Sequence, residues 1–273
     1  MDGDKEMNLR YAGRCALCGV EIPQGGRAIY NTSAKSVRHL DCGSGVDRGV
    51  AGGSAQREYE RRKAKDDARL AEQKANVRAV FGTGFLGRVA TLLAVDDRPR
   101  RSTQVWAQGA VGEERVADWL DRLTEVGVIA LHDRRIPGTR ANIDHVAITP
   151  WGVWVIDTKR YLNKRPDVVT EGGFLGFGGT TRLTVGGRKK DELVEGVLWQ
   201  VERVRAVIGD SPSVRGVLAF VDADWPLIGG DFMVRGVAVL WPKRLVKVML
   251  RREPPTVDVD ALARVVAASF PPA

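Results

Sequence analysis

Apolar residues recur with two different periods in the carboxy-terminal two thirds of the chain. Helical spacing of three and four residues runs through residues 113–126, 191–208 and 257–270. Short runs rich in Val and Ile, separated by turns such as Pro137-Gly138, predict strands instead. These runs cover residues 128–133, 142–149, 152–159, 214–221 and 234–240. Helices that alternate with such strands predict an α/β fold, in which a mixed sheet is flanked by helices.

The amino-terminal third has a different pattern. Residues 55–80 are densely charged and contain large apolar residues only at wide intervals, which predicts an exposed helical spacer without a core of its own. Residues 96–103 contain Pro99 among polar and charged neighbours, a composition typical of a hinge. We therefore expect a small module at residues 1–48, a charged helical spacer and hinge at 49–104, and the main domain at 105–273.

The charge of the chain favours a polyanionic partner. Its 273 residues include 42 Lys and Arg against 34 Asp and Glu, which gives a net charge of +8 at pH 7, and the sequence pI is about 9.6. Nucleic acid or an acidic membrane surface would match this charge. Three cysteines cannot all pair, and residues 1–25 lack the pattern of a secretory signal. We therefore expect a cytoplasmic protein rather than a secreted disulfide scaffold.

One apolar stretch raises the question of a membrane. Residues 79–95 are interrupted by Arg88 and are fewer than the roughly 20 residues that a membrane-spanning helix needs. We expect no integral membrane segment. Association of this stretch with a membrane surface ranks last among the functional hypotheses.

The three cysteines and one histidine occur in two closely spaced pairs. Two residues separate Cys15 from Cys18, and two residues separate His39 from Cys42. Such pairs supply the four ligands of a tetrahedral Zn²⁺ site, and a site filled by four protein ligands is structural. The alternative is a buried histidine with three unrelated cysteines. Because the spacing uses every cysteine of the chain, we favour a structural zinc that stabilises this module.

Acidic residues and a lysine occur in consecutive predicted elements. Asp157 and Lys159 alternate along one predicted strand, so their side chains lie on the same face. Asp144 lies on the preceding strand, and Glu113, followed by Glu114, opens the helix. Three carboxylates could hold Mg²⁺ or Mn²⁺ beside a phosphate while the lysine orients a water molecule, which suits phosphodiester hydrolysis. The alternative is an ordinary ion pair at a strand end, and spacing alone does not separate the two.

These motifs resemble those of a known family. Gly109-Ala-Val-Gly-Glu113, Ile143-Asp-His-Val146 and Gly152-Val-Trp-Val-Ile-Asp-Thr-Lys159 are similar to motifs of the nuclease-related domain (NERD) family in the PD-(D/E)xK nuclease superfamily. The resemblance spans residues 106–240 and preserves the order of the motifs. It implies a restriction-endonuclease-like mixed sheet flanked by helices. It also implies a set of catalytic residues in which the first three hold Mg²⁺ or Mn²⁺: Glu113, Asp144, Asp157, Lys159 and Gln200.

The sequence therefore predicts a metal-dependent nuclease, and DNA is its expected substrate. The glycine-rich segment 172–187 predicts a looped hairpin, and four basic residues near it could contact a phosphate backbone: Arg182, Arg188, Lys189 and Lys190. A solvated basic turn explains these four equally well. His145 is expected to be packed or hydrogen-bonded rather than catalytic. The main alternative function is a non-catalytic nucleic-acid-binding or adaptor protein that retains the nuclease fold.

Overall fold

The structure is a computed structural model of the chain. The residues that it describes are 4–16, 21–32, 35–40, 46–85, 88–89, 92, 100–172, 179–226, 230–250 and 256–273. Cys18 and Cys42 of the predicted zinc site lie outside these residues, as do residues 96–99 of the predicted hinge at 96–103. Within these residues, no helix has both the length and the apolar character needed to cross a membrane.

The amino-terminal module is a small β unit. Its strands are β1 (Asp4–Asn8), β2 (Gly13–Arg14), β3 (Glu21–Ile22), β4 (Arg27–Asn31) and β5 (Ser36–His39). β4 pairs with β1 and β5, and β2 pairs with β3. Leu9, Cys15, Ile22 and Ala28 are buried together. Because these four side chains bury little apolar area, hydrophobic burial among the described residues of the module contributes little stability.

Two long helices follow and pack side by side. α1 (Gly53–Phe81) and α2 (Arg101–Asp121) run antiparallel: Arg62 lies 5.5 Å from the centre of the Trp106 ring, and Thr103 donates to Asp66 over 2.6 Å. α1 covers the residues of the predicted spacer, and its first half packs against α2. α2 begins 12 residues before the predicted start because its first turns contact α1 rather than the sheet. The expected boundary between residues 104 and 105 therefore falls inside α2.

A six-stranded sheet forms the centre of the main domain. Its strands are β6 (Ile129–Arg135), β7 (Asn142–Thr149), β8 (Gly152–Arg160), β12 (Val214–Val221), β13 (Phe232–Val234) and β14 (Val237–Leu240). Their order is β13-β14-β12-β8-β7-β6. β8, β12 and β14 are parallel, whereas β6, β7 and β8 form an antiparallel meander. The carboxyl ends of β8, β12 and β14 therefore meet at one edge of the sheet.

Helices cover both faces of this sheet. α3 (Asp191–Ile208) and α5 (Val259–Ser269) pack on one face through residues such as Val197, Val201 and Val266. α2 and α4 (Pro242–Met249) pack on the other through residues such as Leu120 and Leu245. Full burial of one such side chain contributes about 1.5–3 kcal/mol relative to exposure. The predicted mixed sheet flanked by helices is confirmed, although α4 was not predicted.

Two hairpins complete the domain. β9 (Pro166–Glu171), β10 (Thr180–Val185) and β11 (Arg188–Lys189) form a separate antiparallel sheet where the glycine-rich hairpin was predicted. The strand predicted at 234–240 is instead two strands, β13 and β14. Arg235 and Gly236 both have positive φ angles, of 51° and 86°, and form the tight turn between them.

Backbone from both ends of the main domain covers the outer edge of β6. The Arg48 carbonyl accepts from the His132 N–H over 2.6 Å, and the Pro271 carbonyl accepts from the Arg135 N–H over 2.8 Å. The guanidinium group of Arg134 is buried and donates to carbonyl groups of residues 47, 267 and 270, at 2.9, 3.1 and 2.7 Å. This arrangement removes an edge strand that would otherwise expose unpaired backbone groups.

Candidate active site

The carboxyl end of β8 brings predicted site residues together. Asp157 and Lys159 lie two residues apart on β8, and Lys159 Nζ donates to Asp157 Oδ1 over 2.6 Å. The antiparallel register of β7 and β8 places Asp144 beside Asp157. The Asp144 carboxylate accepts a hydrogen bond from the backbone N–H of Thr158 over 2.7 Å. Two neighbouring strands thus present two carboxylates and one ammonium group at the same edge.

Glu113 reaches this cluster from α2. Its side chain is partly buried, whereas that of Glu114 is exposed. The rotation of α2 about its axis therefore directs Glu113, and not Glu114, toward the cluster. Gly112 lets the helix approach β8 closely, because a Cβ atom there would lie only 3.2 Å from Arg160 Cβ. The backbone N–H of Gly52 donates to the Glu113 carboxylate. The segment that precedes α1 therefore also contacts the cluster.

A fourth carboxylate, which sequence reasoning missed, comes from β6. Asp133 is buried and has a φ angle of +46°, a left-handed conformation that is uncommon for residues other than glycine. Its carboxylate accepts from the N–H and the hydroxyl of Ser54 over 2.6 and 2.7 Å, and from the Asn142 amide over 3.1 Å. It thereby caps the first turn of α1. The available signal was the charged run from His132 to Arg135 directly after a buried apolar run.

Burial and mutual repulsion raise the pKa values of two of these carboxyl groups. Burial, followed by the charges of Asp133 and Asp157, raises the pKa of Glu113 to about 7. Burial, followed by the charges of Glu113 and Asp157, raises the pKa of Asp144 well above its ordinary value. Burial lowers the pKa of Lys159, but the surrounding carboxylates outweigh it and raise that pKa above its ordinary value. When ionised, the carboxylates of the cluster outnumber its one ammonium group, and a divalent cation would compensate this negative charge.

A buried chain of hydrogen bonds lies behind the cluster. His145 Nδ1 lies 2.9 Å from His132 Nδ1, and His145 Nε2 lies 3.2 Å from the Thr158 hydroxyl. His132 Nε2 lies 3.0 Å from the Asp121 carboxylate, which accepts. When both imidazoles are neutral, the consistent arrangement has His132 donating to Asp121, His145 donating to His132, and Thr158 donating to His145. Burial, with the charge of His132 as a smaller cause, holds the pKa of His145 well below its usual range, so His145 is packed and hydrogen-bonded, as predicted.

Gln200 lies on α3 at the border of the cluster. Its Nε2 donates to the carbonyl group of Asn142 over 3.3 Å, two residues before Asp144. Its Oε1 is buried and accepts no hydrogen bond from the described residues. An unsatisfied buried acceptor costs about 1–3 kcal/mol. This oxygen is therefore an acceptor available to a water molecule.

The predicted basic residues lie on β10, on β11 and just before α3. Arg182 and Lys189 both pair with Glu171, at 3.5 and 2.5 Å. Lys190 pairs with a glutamate in the first turn of α3 at 2.9 Å, and Arg188 is exposed. Surface ion pairs contribute only about 0–1 kcal/mol, so a phosphate could replace the acidic partners. The pairing nevertheless makes three of the four less available than the sequence suggests.

Two of the predicted zinc ligands are among the described residues. Cys15 is buried and forms an isolated β-bridge with Val37, which lies two residues before His39 on β5. The N–H of Ala16 donates to the Val37 carbonyl over 2.8 Å. The segments that carry the two ligand pairs are therefore adjacent. The other two ligands, Cys18 and Cys42, lie outside the described residues.

The acidic cluster has the donor atoms of a hard cation site, but the side chains are engaged with the protein. Among the residues that the structure describes, no group of three or more His, Cys, Asp or Glu side chains is arranged to hold a metal ion. The carboxylates of Glu113, Asp144 and Asp157 accept from protein N–H groups instead. Carboxylate oxygens are the ligands that Mg²⁺ and Mn²⁺ prefer. The residues fit such an ion chemically if it replaces these hydrogen bonds.

Comparison with models of known families finds a match in the part of the chain that carries the acidic cluster. Residues 108–221 match the nuclease-related domain (NERD) family. The match runs from α2 to the end of β12 and includes all of the residues proposed for catalysis. It supports the resemblance of the motifs for this segment and does not extend to residues 1–48. Searches of curated proteins and of solved structures found no match.

Proposed function

We propose that the protein is a metal-dependent nuclease of the PD-(D/E)xK type that hydrolyses phosphodiester bonds in DNA. The observation that supports this most directly is the cluster of three carboxylates and Lys159 at the carboxyl end of β8, inside the NERD segment. Glu113, Asp144 and Asp157 would hold a Mg²⁺ or Mn²⁺ ion. When bound, the ion supplies positive charge to the phosphate oxygens and lowers the pKa of a water molecule.

The remaining groups would position the reactants. The Lys159 ammonium group remains charged among the carboxylates and would donate to a phosphate oxygen or to the attacking water. Gln200 Oε1 would accept a hydrogen bond from a water molecule at the border of the cluster. Asp133 would act as a positioning residue, because it caps α1 next to the Gly52 N–H that contacts Glu113.

Substitution of the cluster tests this proposal. Glu113→Gln, Asp157→Asn and Lys159→Met should each lower Mg²⁺-dependent cleavage of DNA by at least about 10²-fold, the effect typical of losing one charged catalytic group. Glu114→Gln is the matched control, because it removes a carboxylate one residue away that is exposed on α2. Cleavage is measured on labelled plasmid and linear DNA with Mg²⁺ and with Mn²⁺. Activity that survives all three substitutions would exclude the cluster as the active site.

A non-catalytic nucleic-acid-binding role is the second candidate. The specific observation in its favour is that each of the three carboxylates already accepts a hydrogen bond from the protein. Calorimetric titration with Mn²⁺ separates the two functions. A nuclease should bind the ion in wild-type protein and lose that binding in Asp157→Asn, whereas an adaptor should show no carboxylate-dependent binding.

We also propose that Cys15, Cys18, His39 and Cys42 hold a structural Zn²⁺ ion. The adjacency of Cys15 and the β5 strand that ends at His39 supports this, as does the small apolar core of the module. Four protein ligands leave no position for a reacting water. Elemental analysis should find one zinc ion per chain in wild-type protein and none in Cys15→Ser. Equal zinc content in both would contradict the proposal.

A further inference from the structure

An open cavity of about 630 Å³ lies at the carboxyl ends of β12 and β14. Its walls come from the residues that follow β12 and β14 and from the outer face of α2. Because the carboxyl ends of β8, β12 and β14 meet at one edge, the cavity and the carboxylates share that edge. Pockets of about 300–1,000 Å³ typically hold small ligands. The volume therefore suits a ligand of nucleotide size.

The cavity combines aromatic faces with charged side chains, of which three are cations and two are carboxylates: Arg115, Arg122, Lys243, Asp118 and Asp222. Trp225 and Trp241 line it with ring centres 5.1 Å apart. Trp119 also lines it and is 36% exposed, with the Arg122 guanidinium group 5.6 Å from its ring centre. Proteins bind single strands by stacking bases on aromatic rings and pairing phosphates with Lys and Arg. In a duplex the base faces are already stacked, so only an unpaired base can use these rings.

A charged rim joins the cavity to the acidic cluster. Asp222, directly after β12, accepts from Arg115 of α2 and from Arg160 of β8, both over 2.7 Å. Two guanidinium groups share one carboxylate, so the rim retains one positive charge. Arg160 directly follows Lys159. Because neighbouring residues on a strand point to opposite faces, Arg160 and Lys159 reach this edge of the sheet from opposite sides. A strand bound across the edge would therefore pass from the cavity over this rim to Lys159.

We propose that the cavity binds an unpaired nucleotide beside the phosphate that the cluster acts on, so that the preferred substrate carries a single-stranded segment. This inference rests on the proposed nuclease function. Trp119 is the stacking residue best suited to a test, because its side chain is partly exposed and lies at the surface of α2. Trp225 and Trp241 also pack against each other, so their removal would disturb the fold.

Binding measured without cleavage tests the inference. The probe is a fluorescent oligonucleotide, single-stranded or annealed to its complement, in buffer without Mg²⁺ or Mn²⁺, and the readout is fluorescence anisotropy. Wild-type protein should bind the single strand at least about tenfold more tightly than the duplex. Trp119→Ala should weaken single-strand binding by about 5- to 150-fold, the effect of losing one base–aromatic stack, and Trp119→Phe should retain most of it.

The chain offers a matched control in α3. Trp199 is also 36% exposed, and the Arg203 guanidinium group lies 5.1 Å from its ring centre, but it does not line the cavity. Trp199→Ala should leave binding unchanged. Equal effects of Trp119→Ala and Trp199→Ala, equal affinity for single strand and duplex, or no binding by wild-type protein would each overturn the inference. Failure of the proposed nuclease function would be recognised separately in the cleavage assay, because cleavage would then not depend on the carboxylates.

Discussion

Glu113 links the acidic cluster to the stability of the fold. Burial and the neighbouring carboxylates raise its pKa from an ordinary 4.5 to about 7. Between these two pH values the folded protein keeps this proton while the unfolded chain loses it, so the folded state binds more protons. The contribution of this group to the free energy of unfolding is therefore fully present below about pH 4.5. It is lost as the pH rises through about 7.

Glu113→Gln should remove this pH dependence. The variant cannot ionise, so its free energy of unfolding relative to wild type should increase between pH 5 and pH 8 by up to a few kcal/mol, because each pKa unit corresponds to about 1.4 kcal/mol. Urea unfolding at several pH values, without added Mg²⁺, measures the difference. Taking the difference cancels groups that do not interact with Glu113, such as the buried His145, whose lowered pKa makes its protonation destabilise the fold at low pH.

Glu114→Gln provides the control for this measurement. Its side chain is exposed, so the same substitution there should change the free energy of unfolding less between pH 5 and pH 8 than Glu113→Gln does. Mg²⁺ at pH 8 should stabilise wild type more than Glu113→Gln if the carboxylate helps to hold the ion. A flat difference for Glu113→Gln would mean that its carboxyl group is not buried among other charges.

The segment before α1 connects the cluster to the edge of β6. The Arg48 carbonyl group accepts from the His132 N–H, and the Gly52 N–H donates to the Glu113 carboxylate. Ser54, in the first turn of α1, donates to the Asp133 carboxylate. The backbone at Gly49 requires a glycine for two reasons. Its φ angle is +73°, and a methyl group on its Cα would overlap the carbonyl oxygen of His132. The segment therefore holds both Glu113 and the kink at Asp133 from outside the NERD range.

Gly49→Ala should detach this segment from β6. The overlap with backbone cannot be relieved by a side-chain rotation, so the variant should lose about 1–3 kcal/mol beyond the strain of a left-handed alanine. Amide exchange of His132, whose N–H donates to Arg48, should become faster. Gly82→Ala is the matched control, because Gly82 also has a φ angle of +73° but has open space around it. Similar exchange of His132 in both variants would contradict the proposed packing.

Buried strands of the sheet and a helix that packs along it could be predicted from the sequence almost residue by residue. β7, β12 and α3 have the predicted bounds of 142–149, 214–221 and 191–208. α2 was predicted too short, because residues 101–112 pack on another helix and lack the stripe that faces a sheet. α4 was missed because the eight residues from Pro242 to Met249 are too few to establish a period. Local periodicity thus identifies the longer elements that pack in or on the sheet, and it misses helix turns that pack on another helix and a helix of only about two turns.

The same limit applies to the candidate site. Asp157 and Lys159 could be placed on one face because strand geometry alternates with a period of two. The sequence alone could not decide between Glu113 and Glu114, because the answer depends on which side of α2 faces β8. Asp133 could not be found, because its place in the cluster depends on a left-handed kink and on the start of α1.

The net charge of +8 is distributed unevenly over the molecule. The acidic cluster is locally negative, whereas Arg115 and Arg160 carry excess positive charge at the cavity rim and Arg188 is exposed on the β10–β11 hairpin. On the same hairpin Lys189 is paired with Glu171. Whole-chain charge therefore overstates the positive charge that is available to a phosphate backbone. Only side chains without an acidic partner should contribute fully.

The salt dependence of nucleic-acid binding should reveal this difference. Binding should weaken as salt increases, with a slope of log affinity against log salt of about −0.7 for each phosphate contact of a single strand and about −0.9 for a duplex. Arg188→Gln should make the slope less negative by about one contact, whereas Lys189→Gln should change it less, because Lys189 must first leave Glu171. Titrations at several salt concentrations measure both. Equal changes in slope for the two variants would show that the ion pair with Glu171 does not restrict Lys189. A wild-type affinity that does not change with salt would contradict electrostatic binding of nucleic acid.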